Sequence, residues 1–227
     1  MIHTRNLTKV HRNGGVERKI LQNVNVDIEA GDFVGLLGPS GSGKSTLVNM
    51  FGLIELPTSG ELLFMGHDIT RLKERQRVNL RRGSIGFVFQ DFGLIEELSV
   101  FENIELPLQY LGYKRKDRVM KVNSILEQMS VSHLKGFFPK HLTGLQKQLV
   151  ALARAVVIDP SVILADEPTG CLNSNEGSSF MEVLYSLHEK GTTIVMATHS
   201  AYEAQKTQRV VQLYDGHIIT DSIKGDL

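Results

Sequence analysis

Hydrophobic positions along this chain follow two rhythms, and the switches between them predict its elements. "RNLTKVHR" and "ILQNVNVDI" alternate apolar and polar residues as half-buried strands do, with "NGG" (residues 13–15) as turn material between them. "DFVGLLG" (Asp32 to Gly38) and "SVILAD" are short unbroken apolar runs, the pattern of strands buried on both faces. "GELLFMGHDI" reads as a strand pair about Gly66, "IGFVFQ" as a strand ending at Gln90, and "TTIVMATH" and "RVVQLYDGHI" as two later strands. Elsewhere the period lengthens to that of a helix. "KSTLVNMFGL" is one such segment, and Val119, Val122, Leu126 and Met129 mark another. Phe180, Val183, Leu184 and Leu187 share one face of a helix from about Asn175 to Lys190, closed by Gly191, and a further helix starts near Ser200. Alternating β and α units predict an α/β fold with a mainly parallel sheet and an N-terminal antiparallel β part. Residues 1–90 and 158–227 form its core, and an α-helical subdomain is inserted over 91–157.

Composition narrows the class without choosing a function. The chain has 227 residues, enough for one sizeable core, with 41% hydrophobic and 22% charged residues. Lys+Arg and Asp+Glu number 25 each, so the net charge is zero. No nucleic-acid partner is expected, since phosphate backbones call for clustered basic charge, and little self-repulsion opposes association with other chains. The single cysteine, Cys171, precludes an intrachain disulfide and suits a reducing compartment. No apolar run reaches the roughly 18–20 residues of a membrane span, and the first residues lack a signal peptide's apolar core. The expectation is a soluble cytoplasmic protein that serves a membrane only by docking on a separate chain.

Candidate chemistry begins at "GPSGSGKST": Gly38, Pro39, Ser40, Gly41, Ser42, Gly43, Lys44, Ser45 and Thr46. The stretch fits G-x-x-x-x-G-K-[ST], the P-loop or Walker A pattern, in the context that pattern requires: after a buried strand and opening a helix. Glycines let backbone N–H groups curl inward, the helix N-terminus adds partial positive charge, Lys44 adds a full one, and Ser45 offers a hydroxyl to Mg²⁺. "SVILADEP" delivers Asp166 and Glu167 to the sheet's carboxyl edge, where ligands of such sheets bind. Asp166 suits Mg²⁺ held through water, and Glu167 suits polarising an attacking water, although strand-end carboxylates also serve as helix caps. Gln90 and His199 end two further apolar strands on the same predicted edge.

Together these stretches resemble the nucleotide-binding subunit of ABC transporters over nearly the whole chain. In order they are the P-loop (Gly38 to Thr46), a Q-loop (Gln90), a signature (Leu142 to Gln146), the acidic strand (Ile163 to Glu167), a D-loop (Cys171 to Ser174) and an H-loop (His199). "ILADEPTG", "SGELLFMGHDIT", "ENIELPLQYLG" and "RVVQLYDGHI" are similar to the lipoprotein-release, macrolide-export and FtsE cell-division group. The resemblance implies a RecA-like P-loop NTPase that binds and hydrolyses MgATP in a head-to-tail pair, either a homodimer or a heterodimer with a second ABC ATPase. It implies a transmembrane permease subunit as partner, at the inner face of the cell membrane. It also implies Lys44 on the β- and γ-phosphates, Ser45, Gln90 and Asp166 about Mg²⁺, Glu167 as general base and His199 on the γ-phosphate. His11 stands near the position of an adenine-stacking aromatic, and Thr143, Gly144 and Gln146 would address the partner's ATP. The helical subdomain would dock on the permease, with Asp91 to Leu98 near that contact.

The chain also departs from the family pattern. The usual signature is Leu-Ser-Gly-Gly-Gln followed soon by Arg; here Leu142, Thr143, Gly144, Leu145 and Gln146 are followed by Leu149. Leu145 places a branched side chain where backbone should meet phosphate, with a strain of roughly 1–2 kcal/mol if the position needs φ > 0. Alternatively, Leu145 and Leu149, one turn apart, extend the apolar face of "LVALARAVV". Asn173 stands where the D-loop usually has Asp. All three lie on the surface implied to address a partner's nucleotide, so the chain is expected to bind MgATP but turn it over poorly as a homodimer. The alternative is an FtsE-like regulatory or scaffold module. A small-molecule P-loop kinase lacks an evident acceptor pocket here and leaves the residues about Gly144 unexplained.

Overall fold

Ten strands, seven α-helices and three short 3-10 helices lie within residues 1–14 and 16–223, the residues that the computed structural model describes. In chain order the strands and α-helices are β1 (Ile2–Asn13), β2 (Val16–Ile28), β3 (Phe33–Leu37), α1 (Lys44–Phe51), β4 (Ser59–Phe64), β5 (His67–Asp68), α2 (Glu74–Ser84), β6 (Ile85–Val88) and α3 (Val100–Tyr110). There follow α4 (Arg115–Gln128), α5 (Gly144–Val156), β7 (Val162–Asp166), α6 (Ser174–Glu189), β8 (Thr193–Thr198), α7 (Ala201–Ala204), β9 (Arg209–Tyr214) and β10 (His217–Ile223). The chain divides into two units, one of residues 1–81 with the segment from 193 onward, the other of residues 82–192.

In the first unit β1 pairs antiparallel with β2 and β4, and β4 with β5. The alternation that announced β1 and β2 is interrupted where Asn6 on the first and Asn23 on the second both take φ of 50° and the register shifts. Asparagine tolerates this left-handed backbone better than any other side chain present there. Gly15, part of the expected turn between β1 and β2, lies outside the described residues. β3 runs parallel to both β8 and β9, and four of its five residues are buried, as befits a strand covered on both faces. The run "RVVQLYDGHI" is two strands rather than one. Asp215 and Gly216 take positive φ (43° and 77°) and turn the chain back, so that β10 pairs antiparallel with β9. An Asp-Gly pair is the turn chemistry a two-residue hairpin demands.

In the second unit β6 and β7 pair parallel, with α3, α4, α5 and α6 in the same unit. β6 ends at Val88, two residues before the expected boundary at Gln90, because the Phe89 carbonyl accepts from the Phe92 N–H and turns the chain out of the ladder. α5 packs closely on β6: a side chain on Gly86 would come within 2.6 Å of the Ala155 carbonyl oxygen. The face expected of α6 is buried at Phe180, Leu184 and Leu187, with Met181 added and Val183 half-buried. Gly191, at φ 91°, follows its end. α2 was not legible in the hydrophobic pattern, because "ERQRVNLRRGS" has no apolar stripe and buries no residue.

Candidate functional site

The loop between β3 and α1 needs glycine twice over. Gly41 and Gly43 adopt φ of 78° and 104°, a region that L side chains enter only under strain. A Cβ on Gly43 would also sit 2.7 Å from Leu21 Cδ2 and 2.8 Å from the Ile20 carbonyl of β2, while one on Gly38 would strike the Leu213 carbonyl. Gly43 is the N-cap of α1, with no side chain capping the helix and no acidic residue in its first turn. The positive end of the helix is therefore left for something else to meet. Lys44 is only 4% exposed and arches over the loop, its Nζ donating to the Gly38 and Pro39 carbonyls at 2.8 and 3.1 Å. The Ser42 hydroxyl, also buried, has no hydrogen-bond partner among the described residues. Pro39, Ser40, Gly41 and Ser45 are exposed at the mouth and Thr46 is half-buried. Unmatched helix N–H groups, an ammonium and an orphaned hydroxyl, with no carboxylate in the helix's first turn, fit a polyphosphate anion.

His199 belongs to the same end of this unit. β3 and β8 run in register from Phe33↔Ile194 to Leu37↔Thr198, and the Gly38 N–H donates to the Thr198 carbonyl at 3.3 Å, so His199 leaves β8 beside the entry to the loop. His11 lies on β1 opposite Arg18, on the ribbon whose Ile20–Leu21 stretch abuts Gly43. Its half-exposed ring shares a hydrogen bond of 2.9 Å with Glu55, which also holds Lys9 at 2.9 Å. Burial raises the Glu55 carboxyl, but these two partners outweigh it and hold the group below the usual carboxylate range.

In the second unit the register Val88↔Ala165 sends Gln90 on one side and Asp166–Glu167 on the other out of the same edge of the β6–β7 pair. Asp166 closes β7 half-buried, and Glu167 is held at φ 46°, a left-handed backbone of the kind that functional sites store. The turn beyond it closes by the Gly170 N–H donating to the Glu167 carbonyl at 3.0 Å. The Gln90 amide lies directly over Gly170, where an added Cβ would be 2.9 Å from Nε2. Gly144, at the start of α5, faces the D-loop in the same way: an added Cβ would be 3.2 Å from Leu172 Cδ2 and 3.6 Å from the Cys171 carbonyl oxygen.

The departures from the family pattern acquire local explanations. Thr143 is the N-cap of α5: its hydroxyl accepts from the Gln146 N–H at 3.3 Å, and the Gln146 side chain accepts from the Thr143 N–H at 2.9 Å. Leu145 is the second helical residue and is not among those with positive φ, so the strain expected of a left-handed position is absent. Leu145 and Leu149 are both half-buried, while α5 buries Val150, Leu152 and Val156 instead. Asn173 caps α6, accepting from the Asn175 and Glu176 N–H groups at 3.1 and 3.0 Å, a task that asparagine and aspartate perform equally well. Sequence reasoning passed over Gln148. It is fully buried on α5 and donates from Nε2 to the Pro168 carbonyl at 2.6 Å and the Phe89 carbonyl at 3.2 Å. Its spacing from Leu152 and Ala155, four and seven residues on, could have placed it on the buried face.

Residues 21–170 match the family model described as ABC transporter, about two thirds of the chain. The chain belongs to the ABC transporter ATP-binding family. Its relatives within that family agree. It is 40% identical to the uncharacterized ABC transporter ATP-binding protein YknY of Bacillus subtilis, over 98% of this chain and 96% of that one. It is 37% identical to the macrolide export ATP-binding/permease protein MacB of Brucella melitensis, over its whole length but only 35% of the relative's. Among solved structures, it superposes on the ATP-binding cassette MJ0796 in a dimeric post-hydrolysis state bound to ADP and Pi, with TM-score 0.90, 37% identity and 98% of each chain covered. Among the described residues no helix is long and apolar enough to cross a membrane. Nor, among them, do three or more His, Cys, Asp or Glu side chains cluster as a metal site.

Proposed function

We propose that this chain binds MgATP and powers a separate transmembrane permease as half of a head-to-tail ATPase pair. The observation that carries the reading is the glycine-capped, positively charged loop at α1, with the buried Ser42 hydroxyl and the Lys44 ammonium turned into it. Lys44 holds the β- and γ-phosphates. Ser45 and Asp166, with Gln90, would hold Mg²⁺, whose charge would offset that developing on the phosphates. Glu167 takes the proton of the attacking water, and His199 binds the γ-phosphate. Thr143, Gly144 and Gln146 address the nucleotide of the partner ATPase, His11 lies beside the adenine, and the helical subdomain over residues 91–157 docks on the permease at the inner face of the membrane. Macrolide export is the role of MacB, a chain nearly three times as long, and does not transfer as a cargo to this one.

Turnover by a homodimer is weak in this reading, because half-buried Leu145 and Leu149 stand in the first half of α5, the stretch that would meet the partner's phosphate. The test is calorimetric titration with MgATP, followed by phosphate release. Binding that Lys44→Ala abolishes, with slow release that a membrane partner stimulates, is the expected result. Absence of binding heat overturns the whole reading. Nucleotide-driven pairing that no membrane partner accelerates moves the assignment to a regulatory scaffold.

A further inference from the structure

Gln148 spends both of its amide hydrogens on backbone carbonyls while its own oxygen, Oε1, is buried without a donor among the described residues. Flipping the amide would set its oxygen against two carbonyl oxygens, so the orientation is fixed by chemistry. A buried glutamine in this condition is a net liability in a helix that otherwise buries apolar residues, unless the two bonds it makes have a use. The carbonyls it holds are telling ones. Phe89 immediately precedes Gln90, and Pro168 immediately follows Glu167. A second tie lies further along α5, where Arg154 donates to the Gly93 carbonyl at 2.6 Å and the Phe92 carbonyl at 3.1 Å. Phe92 and Gly93 take φ of 66° and 55°, an uncommon backbone that this guanidinium helps to hold. The helix that Thr143 caps thus grips the backbone on both sides of Gln90 and just after Glu167, the two side chains assigned to metal and water.

We propose that Gln148 is a positioning residue. It links the first turns of α5 to the backbone flanking Gln90 and Glu167, so that a shift of α5 on meeting a partner's nucleotide moves this chain's own catalytic groups. The idea rests on the head-to-tail reading and goes beyond it by naming the connection. An equilibrium can be biased this way only if α5 bonds differently in the two states, and the orphaned Oε1 is an acceptor still available to the second state.

The test is hydrogen–deuterium exchange on the full chain, with and without MgATP, in the wild type and in Gln148→Met, which keeps side-chain volume but removes both donors. In the wild type, protection is expected at 38–46 (nucleotide bound), at 143–149 (pairing) and at 86–93 and 165–170 (transmission). Gln148→Met is expected to keep the first two and lose at least two thirds of the last. Equal protection at 86–93 and 165–170 in both proteins overturns the proposal. Missing wild-type protection at 38–46 or 143–149 instead overturns the paired-ATP reading, and the proposal with it. Should Gln148→Met fail to fold, Gln148→Asn, whose amide is one methylene short, is expected to show the same selective loss.

Discussion

Replacing Leu145 with glycine should push stability and activity in opposite directions. Leu145 is the second residue of α5, in ordinary helical backbone and half-buried. Leu145→Gly forfeits helix propensity of roughly 0.7 kcal/mol. It also forfeits about half of the roughly 1.5–3 kcal/mol that complete burial of a leucine contributes. The sum is about 2 kcal/mol, which for a chain of this size lowers Tm by roughly 3–8 °C. If Leu145 obstructs the partner's phosphate, the same change opens close backbone approach and raises ATP turnover at least about tenfold, equivalent to roughly 1.4 kcal/mol of barrier. Differential scanning calorimetry and phosphate release at saturating MgATP, on one preparation, read both quantities. A lower Tm with unchanged turnover refutes the obstruction argument and leaves Leu145 a packing residue; an unchanged Tm refutes the burial argument.

Three further outcomes follow from other parts of the structure. Gly43→Ala combines a left-handed backbone, at about 1–2 kcal/mol, with contact on the Ile20 carbonyl, so it should lower Tm by several degrees and abolish MgATP heat in calorimetry. Asn173→Asp should leave Tm within a degree, because the cap survives, whereas Asn173→Ala should cost about 1 kcal/mol in chemical denaturation. Asp27 accepts two hydrogen bonds from Arg5, at 2.8 and 2.9 Å, and one from His3, which together hold its carboxyl below the usual range. The folded value is depressed, so the stabilisation is whole above the unfolded value near 4 and is lost as pH falls through the folded one. Tm measured from pH 7 to pH 3 should therefore fall less steeply in Asp27→Asn than in the wild type.

The features written locally in the chain were legible in advance. A P-loop is a run of consecutive residues whose spacing, glycines and flanking strand are all local, so "GPSGSGKST" could be recognised before its φ values were known. The strands and long helices were legible for the same reason, since burial on one face imposes a period on neighbouring residues. α2 was missed because it buries nothing, and the end of β6 because one turn hydrogen bond decides it.

Side-chain partnerships between distant residues were not legible. That Leu145 is helical rather than strained, and that His11 is bonded to Glu55, depend on where backbone and partners arrive after folding. Gln148 is the clearest case: nothing near it in the chain hints at carbonyls 59 and 20 residues away. The sequence by itself determined the phosphate loop and the alternation of strands and helices, because each depends on contacts between neighbours in the chain. The tertiary structure alone decided which polar groups meet, because a hydrogen bond needs a donor and an acceptor within about 3 Å, whatever the separation of their residues along the chain.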